Sequence, residues 1–231
     1  MSNLHRFIKE TKKADLVKLA NRTCRHGHNF ISHSACMREE LNKPERIGIL
    51  DLESNGVIDM QYSRIHAYTI KVYHEEKYYS ARETNKTILK TKTYDLELVK
   101  QFSKDILNFD KILTYCGSWH DFPALRTRML YWKSKGHSVD FPIFGEIKHH
   151  DIYFAADSKL KLRNKSLRTV CSLLNIPSKA IFTTPEMAWG AASGVEKDLE
   201  QIRLHSKEDC VSTEKVYDEL YKFVNVKNTS I

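Results

Sequence analysis

The sequence predicts an α/β protein, because stretches with strand-like patterns alternate along the chain with stretches of helical spacing. An apolar run at residues 46–54 is typical of a buried strand, and residues 64–82 have the pattern of a β-hairpin. A long helix is predicted from about residue 200 to residue 224. We expect a basic appendage over residues 1–45 and one main domain over residues 46–231.

The apolar run at residues 46–54 contains two carboxylates, Asp51 and Glu53. Side chains two apart in a strand point to the same side, so these acids converge on one face. Two like charges so placed repel each other unless a cation neutralises them, and oxygen ligands suit Mg²⁺ or Mn²⁺. The alternative is a strand end with two solvated acids.

The elements that follow place two more acids at element ends. Asp95 is a candidate N-cap of a helix, after which residues 111–115 predict a short strand. Asp121 lies where this strand passes into a helix with Pro123 in its first turn, so it is either a helix cap or a site residue. A further strand is predicted at residues 147–153, and it contains Asp151.

The excess of positive charge is concentrated in two segments. The chain has 37 basic and 29 acidic residues, a net charge of +8, and residues 1–46 hold twice as many basic as acidic residues. In the main domain, five cations interleaved with leucines are the best candidates for contacts with a nucleic-acid backbone: Lys159, Lys161, Arg163, Lys165 and Arg168. A nucleic-acid partner accounts for this balance, and so does a solvated surface.

The predicted last helix carries His205 and Asp209. Their four-residue separation puts both side chains on one face of the helix, close enough to share a site. The alternative is an ordinary surface His/Asp pair. Helices are also predicted at residues 165–174 and 185–192.

The appendage combines a basic amphipathic helical start with a segment rich in Cys and His. Zn²⁺ takes four such ligands tetrahedrally, and the preferred set is Cys24, His28, His33 and Cys36, with His26 as the substitute for His28. The spacing does not match a common zinc-finger pattern, so a His-rich loop with two thiols is the alternative.

The chain has no run of about 18 apolar residues, and its charged start lacks the apolar core of a signal peptide. We therefore expect a soluble, intracellular protein without a membrane partner. Five cysteines in such a context favour thiols or metal ligands over a disulfide framework.

Three stretches together resemble the DEDD group of 3′→5′ exonucleases, in particular the predicted exonucleases related to family B polymerase proofreading domains. These stretches are Ile49-Leu50-Asp51-Leu52-Glu53, the segment from Thr114 to Pro123, and His205-Ser206-Lys207-Glu208-Asp209-Cys210-Val211. The resemblance covers about residues 46–224. It implies a ribonuclease-H-like fold, with a central mixed β-sheet flanked by helices, and a single-stranded DNA or RNA 3′ end as substrate. A Cys/His-rich lead-in also resembles one in archaeal and viral relatives.

The resemblance further implies that two Mg²⁺ or Mn²⁺ ions are bound by four acids and that a histidine orients or deprotonates the attacking water. The residues concerned are Asp51, Glu53, Asp121 and Asp209 as ligands, and His205 for the water. One metal would activate the water and the other would stabilise the leaving 3′ oxygen. The zinc site of the appendage would be structural.

The sequence departs from the family pattern at three positions. A tyrosine four residues, or a histidine five residues, before the last Asp is usual, whereas here His205 stands four before. Cys116 and His120 stand where many relatives have Asn and Phe. Two other functions are compatible with the sequence: a structure-selective endonuclease or ribonuclease on the same fold, and a non-catalytic nucleic-acid-binding module.

Overall fold

The computed structural model describes residues 3–20, 22–24, 27, 29, 45–55, 59–60, 63–142, 145–177, 181–223 and 229–230. They form a mixed β-sheet whose two faces are covered by separate apolar clusters. This architecture confirms the predicted α/β class with a mixed sheet flanked by helices. Among the described helices, none has the length and apolar character needed to cross a membrane.

The sheet has six strands in the order β3-β2-β1-β4-β5-β6. The strands are β1 (Ile47–Ser54), β2 (Ile65–Val72), β3 (Tyr78–Arg82), β4 (Lys111–Thr114), β5 (Lys148–Asp151) and β6 (Thr229–Ser230). The first three are antiparallel neighbours, whereas β1, β4 and β5 run parallel to one another and β6 is antiparallel to β5. The predicted hairpin is therefore β2–β3, and the predicted acidic strand is β1 at the centre of the sheet.

Eight α-helices lie within the described residues. They are α1 (Asn3–Glu10), α2 (Lys13–Ala20), α3 (Leu96–Asp105), α4 (Asp121–Ser134), α5 (Ile152–Lys159), α6 (Leu167–Leu173), α7 (Pro185–Ala192) and α8 (Glu196–Leu220). The prediction for α7 is confirmed, because the Thr184 hydroxyl accepts a hydrogen bond from the Met187 N–H at 3.2 Å and so caps the helix. The predicted strand at residues 147–153 is shorter, since α5 begins at Ile152.

The two faces of β1 have different roles. Leu50 and Leu52 are buried in a cluster with residues of α3 and α4. On the opposite face, Ile49 is fully buried in a cluster with residues of α5, α6 and α8. Because side chains alternate along a strand, Asp51 and Glu53 continue the Ile49 face, towards α8.

Helix α8 is fixed on this face of the sheet by polar contacts as well as apolar ones. Lys71 Nζ lies 2.8 Å from a carboxylate oxygen of Glu214, and both side chains are nearly buried. Nearer the site, the Ser206 hydroxyl donates to the Asp51 carbonyl at 3.2 Å, and the Cys210 thiol donates to the Ile49 carbonyl at 3.3 Å. The side chains of α8 are thereby held in register with those of β1.

Asp95 precedes α3, as predicted, but its carboxylate does not cap that helix. It accepts hydrogen bonds from the guanidinium of Arg128 at 2.7 and 2.8 Å and from Trp132 Nε1 at 2.9 Å. It also accepts one from the Ile65 N–H at 3.0 Å. A buried arginine on α4 competes successfully with the helix end, because an ionised hydrogen bond is stronger than a neutral one. The carboxylate thus joins β2, α3 and α4.

The start of the chain forms two short helices rather than one. The break follows Glu10, and the Thr11 hydroxyl donates back to the Phe7 carbonyl at 2.6 Å. Phe7, Leu19 and Cys24 are buried together in a small apolar cluster. The other predicted zinc ligands lie outside the described residues, namely His26, His28, His33 and Cys36. The zinc site therefore stays a prediction.

Candidate metal centre

The carboxyl ends of the three parallel strands meet at one edge of the sheet. Glu53 lies near the end of β1, and Asp151 is the last residue of β5. Asp121 follows β4 after a six-residue loop and begins α4. In open α/β sheets this edge is where ligands commonly bind.

Glu53, His205 and Asp209 converge at this edge. His205 Nε2 lies 3.5 Å from a carboxylate oxygen of Glu53 and 3.6 Å from a carboxylate oxygen of Asp209. One ligand atom from each of the three residues can be chosen so that all lie within 4.8 Å of one another. His205 and Asp209 thus lie close to each other, as their helical spacing predicts, and β1 contributes Glu53 as the third group. Their function in a shared site stays a prediction.

The orientation of the His205 ring is set by its other nitrogen. Nδ1 lies 2.8 Å from the carbonyl oxygen of Ile181, in the segment before α7. Because a carbonyl can only accept, Nδ1 carries the hydrogen of this bond. In the neutral imidazole, Nε2 therefore presents its lone pair towards the two carboxylates.

Asp121 belongs to the same group of charges. Its side chain is buried, and its pKa is raised well above the ordinary value by burial first and then by the negative charges of Asp151, Glu53 and Asp209. These three acids therefore disfavour the ionised form of Asp121. Asp121 lies at the start of a helix, as predicted, but it is the first helical residue, and His120 is the N-cap. The role of Asp121 as a site residue stays a prediction.

Asp51 is connected to the group through Cys210. The pKa of this thiol is raised well above its ordinary value by burial and then by the charges of Asp51, Asp209 and Asp121. Cys210 lies directly under β1, where its thiol contacts the Ile49 carbonyl. Asp51 and Asp121 thus act electrostatically on the same buried thiol as Asp209, whereas only Glu53, His205 and Asp209 are brought to within ligand distance of one another among the described residues.

Asp151 is a fifth acid at this edge, and the sequence did not mark it as a site residue. Its carboxylate is buried and accepts hydrogen bonds from the N–H groups of Cys116 at 2.9 Å, Ser118 at 2.8 Å and Tyr153 at 3.1 Å. It therefore caps α5 and holds the loop that leads from β4 to Asp121. The available signal was an acid within the strand predicted at residues 147–153.

The loop held by Asp151 is tightly folded. Cys116 has a φ of 68°, in the left-handed region that a non-glycine residue rarely adopts. A Cβ atom on Gly117 would lie 2.4 Å from the Thr114 hydroxyl oxygen, so only glycine fits there. Burial, with the charges of Asp151 and Asp121, raises the pKa of the Cys116 thiol to about 12. The Cys116 thiol is therefore neutral near pH 7.

His120 lies at the margin of the site. Its Nε2 is 3.5 Å from the Ser54 hydroxyl at the end of β1, and burial lowers its pKa below the ordinary value. The ring is consequently neutral near pH 7 and can donate or accept one hydrogen bond at each nitrogen according to its tautomer.

The five predicted cations lie between Lys159, the last residue of α5, and Arg168, the second residue of α6. Lys159, Lys161 and Arg163 are exposed, whereas Lys165 Nζ pairs with Asp157 at 2.8 Å. The guanidinium of Arg168 lies 4.9 Å from the ring centroid of Phe182. The stretch from Leu160 to Ser166 is not helical, because α5 ends at Lys159 and α6 begins at Leu167. The binding of the five cations to nucleic acid stays a prediction.

The donor set fits a hard divalent cation. Carboxylate oxygens dominate it, one imidazole nitrogen accompanies them, and the ligand atoms of Glu53, His205 and Asp209 are within reach of a single ion. Burial and the surrounding negative charge raise the pKa of Asp121, so the ionised form of this side chain is disfavoured. A bound cation would lower that charge.

Comparison with known proteins agrees with this architecture. The fold is similar to that of the family B DNA polymerase from the hyperthermophilic archaeon Pyrobaculum calidifontis, with a TM-score of 0.59 at 17% sequence identity. The similarity covers 78% of this chain and 25% of the polymerase, so the chain corresponds to about a quarter of that protein. No curated protein matches the chain.

The family comparison is more direct. Residues 49–221 match the model of a family described as the RNase H superfamily. The match begins in β1, two residues before Asp51, and ends just after α8, so it includes every acid of the site and excludes the appendage. The chain therefore belongs to the RNase H superfamily.

Proposed function

We propose that the protein is a metal-dependent nuclease that hydrolyses phosphodiester bonds of DNA or RNA from a 3′ end. The observation that carries the proposal is the convergence of Glu53, Asp209 and His205 at one edge of an RNase H-type sheet, where Asp51 and Asp121 add further negative charge. A phosphodiester brings further negative charge to this edge, so a cation must accompany it.

Four residues would hold the cations, which we propose to be two Mg²⁺ or Mn²⁺ ions: Asp51, Glu53, Asp121 and Asp209. When bound, such ions would activate a water molecule and stabilise the leaving 3′ oxygen. Glu53 and Asp209 flank the imidazole of His205, and Asp121 closes the group from the start of α4. The acids come from three elements, β1, α4 and α8, so the site forms only when the domain is folded.

His205 would position the attacking water and accept its proton. Its Nε2 points towards Glu53 and Asp209, while the carbonyl of Ile181 keeps the proton on Nδ1. A neutral imidazole with this orientation is a suitable general base near pH 7. His205→Ala should lower kcat by about 10²- to 10⁴-fold, the usual contribution of such a group.

The test is degradation of a labelled single-stranded oligonucleotide with Mg²⁺ or Mn²⁺, compared with the same reaction in EDTA. Wild type should shorten the strand only with metal, and Asp51→Asn and Asp209→Asn should be inert. Asp140→Asn is the matched control, because this side chain is 80% exposed and its carboxylate pairs with the exposed Lys133, with Oδ1 3.7 Å from Nζ. Equal rates for wild type and Asp51→Asn, including two equally inert proteins, would show that the assignment is wrong.

Three further substrates separate the proposed activity from its alternatives. A circular single strand has no 3′ end, so an exonuclease leaves it intact and an endonuclease cuts it. A strand blocked at its 3′ end should resist degradation, whereas a strand blocked at its 5′ end should not. A non-catalytic binding module would bind each of these substrates without cleaving it. Its affinity would depend on salt, and its binding would not require metal.

A further inference from the structure

Three aromatic side chains form a surface cluster beside the acidic group, here called the aromatic platform: Trp119, Tyr153 and Phe154. The centroid of the Trp119 ring lies 4.9 Å from that of Tyr153 and 5.1 Å from that of Phe154. Trp119 is 60% exposed and Phe154 is 45% exposed. A large apolar surface is thus open to solvent.

The platform is connected to the acidic group through the protein backbone. Trp119 precedes Asp121 by two residues, in the loop whose N–H groups at Cys116 and Ser118 are held by Asp151. The N–H of Tyr153 binds the same carboxylate at 3.1 Å. Asp151 therefore ties both halves of the platform to the edge of the sheet where the acids converge.

The platform is also connected to the exposed cations. Tyr115 packs against Tyr153 with ring centroids 6.1 Å apart, and its hydroxyl donates to the carbonyl of Lys165. This bond holds the end of the irregular stretch in which Lys161 and Arg163 are exposed. An apolar aromatic surface and a set of phosphate-binding cations are thus joined through one tyrosine.

We propose that the aromatic platform stacks a base of a single-stranded nucleic acid, while the exposed cations of the 159–163 segment contact its phosphates. Every base has a flat π-face, so an exposed indole binds it without regard to sequence. The nearby positive charge favours a nucleic acid over an apolar protein partner, since phosphates complement it. This inference rests on the proposed function, because it assigns the substrate strand of the same site.

Oligonucleotide binding by Trp119 variants tests the proposal. Binding of a short, fluorescently labelled oligothymidylate is measured by anisotropy in EDTA, and again with Mg²⁺ in an Asp51→Asn background that should leave the strand intact. Trp119→Ala should weaken binding about 5- to 150-fold, the range expected for one lost stacking contact, and Trp119→Phe should weaken it much less. Trp189→Ala is the matched control, since Trp189 is 70% exposed but lies on α7.

A strand with abasic sites separates stacking from phosphate attraction. Wild type should bind it more weakly than oligothymidylate, whereas Trp119→Ala should bind both alike. The double variant Lys161→Ala/Arg163→Ala should bind both strands more weakly than wild type by the same factor. The salt dependence of its binding should also be smaller. Melting curves confirm that each variant is folded, which the exposure of these side chains leads us to expect.

The proposal is overturned if Trp119→Ala binds oligothymidylate as tightly as wild type, or if wild type binds neither strand in either condition. It is also overturned if Trp119→Ala only dissociates a dimer in gel filtration, because the platform is then a protein interface. Failure of the proposed nuclease activity gives a different result, namely no metal-dependent cleavage although the platform still binds bases. If Trp119→Ala cleaves the substrate with an unchanged KM, the proposed nuclease activity stands and the proposed role of the aromatic platform is refuted.

Discussion

The buried carboxylate of Asp121 should destabilise the metal-free protein, so Asp121→Asn should make that protein more stable. The side chain is only 4% exposed, and its pKa is raised by burial and by the charges of Asp151, Glu53 and Asp209. Both causes disfavour the ionised form in the folded state. Asparagine keeps the shape of the side chain and removes its charge.

The size of the effect follows from what removing an unfavourable group at a functional site usually yields, about 0.5–2 kcal/mol. For a chain of 231 residues, each kcal/mol corresponds to about 2–4 °C in Tm, so the gain should be about 1–8 °C. The sign depends on pH. Below about pH 4 Asp121 is protonated in the folded and the unfolded state, and the two proteins should be equally stable. As pH rises towards the raised pKa, the wild type loses stability relative to the variant, because its unfolded state ionises first.

Thermal unfolding in EDTA between about pH 5 and about pH 8 measures this difference. Asp105→Asn is the control, since that buried carboxylate accepts hydrogen bonds from Tyr68 at 2.7 Å and Gln101 at 2.9 Å and should be stabilising. Added Mg²⁺ or Mn²⁺ should raise the Tm of wild type more than that of Asp121→Asn, because only the folded wild type offers the full set of ligands. If Asp121→Asn melts below wild type in EDTA at the upper end of this pH range, the acids do not repel one another and the reasoning is refuted.

Three other substitutions test separate parts of the structure. Asp95→Asn leaves the guanidinium of Arg128 buried without its carboxylate and should cost about 3–5 kcal/mol in urea unfolding. Asp151→Ala removes the acceptor of three backbone N–H groups and should cost about 1–3 kcal/mol, with a fall in nuclease rate that Asp140→Asn does not share. Gly48→Ala places a Cβ 2.7 Å from the Ile70 side chain and should cost about 1–3 kcal/mol by urea unfolding.

Each of these predictions has a result that contradicts it. If the free energy of unfolding of Asp95→Asn in urea equals that of wild type, the ion pair with Arg128 does not contribute to stability. Unchanged activity of Asp151→Ala would mean that Asp121 is positioned without the loop. A fully stable Gly48→Ala protein would mean that β1 can move away from β2 without loss of packing.

The parts of the site that the sequence predicts are those that local geometry determines. Asp51 and Glu53 share a face because the side-chain period of a strand is two, and His205 and Asp209 share a face because residues four apart are neighbours on a helix. The hairpin is equally local, since two strand-like stretches flank a short turn. What the residues alone leave open is that these two pairs meet, which requires α8 to cross β1. The family resemblance, by contrast, implied that meeting.

The parts that the sequence does not predict depend on distant partners. Asp95 looks like a helix cap, but Arg128, 33 residues later, draws its carboxylate away. Asp151 looks like any strand residue, because its role comes from backbone N–H groups in a loop 33 and 35 residues earlier. Lys165 counts as a free cation in the sequence, yet it pairs with Asp157 on α5. Backbone donors and long-range ion pairs leave no periodic signal.

The treatment of buried acids elsewhere in the domain supports a cation at the site. Glu83 pairs with Arg64 at 3.0 Å, Glu214 pairs with Lys71 at 2.8 Å, and Asp95 pairs with Arg128 at 2.7 Å. Burying an acid without such a partner is costly, so these pairs are what a stable domain requires. The charges that raise the pKa of Asp121 are instead all carboxylates. Glu83, Glu214 and Asp95 thus have cationic side chains as partners, whereas Asp105 and Asp151 accept hydrogen bonds from neutral donors. Because the neighbouring charges that act on Asp121 are negative, a metal ion would be a favourable counterpart for it, and its stabilisation of the folded state should appear as a metal-dependent Tm even where no substrate is present.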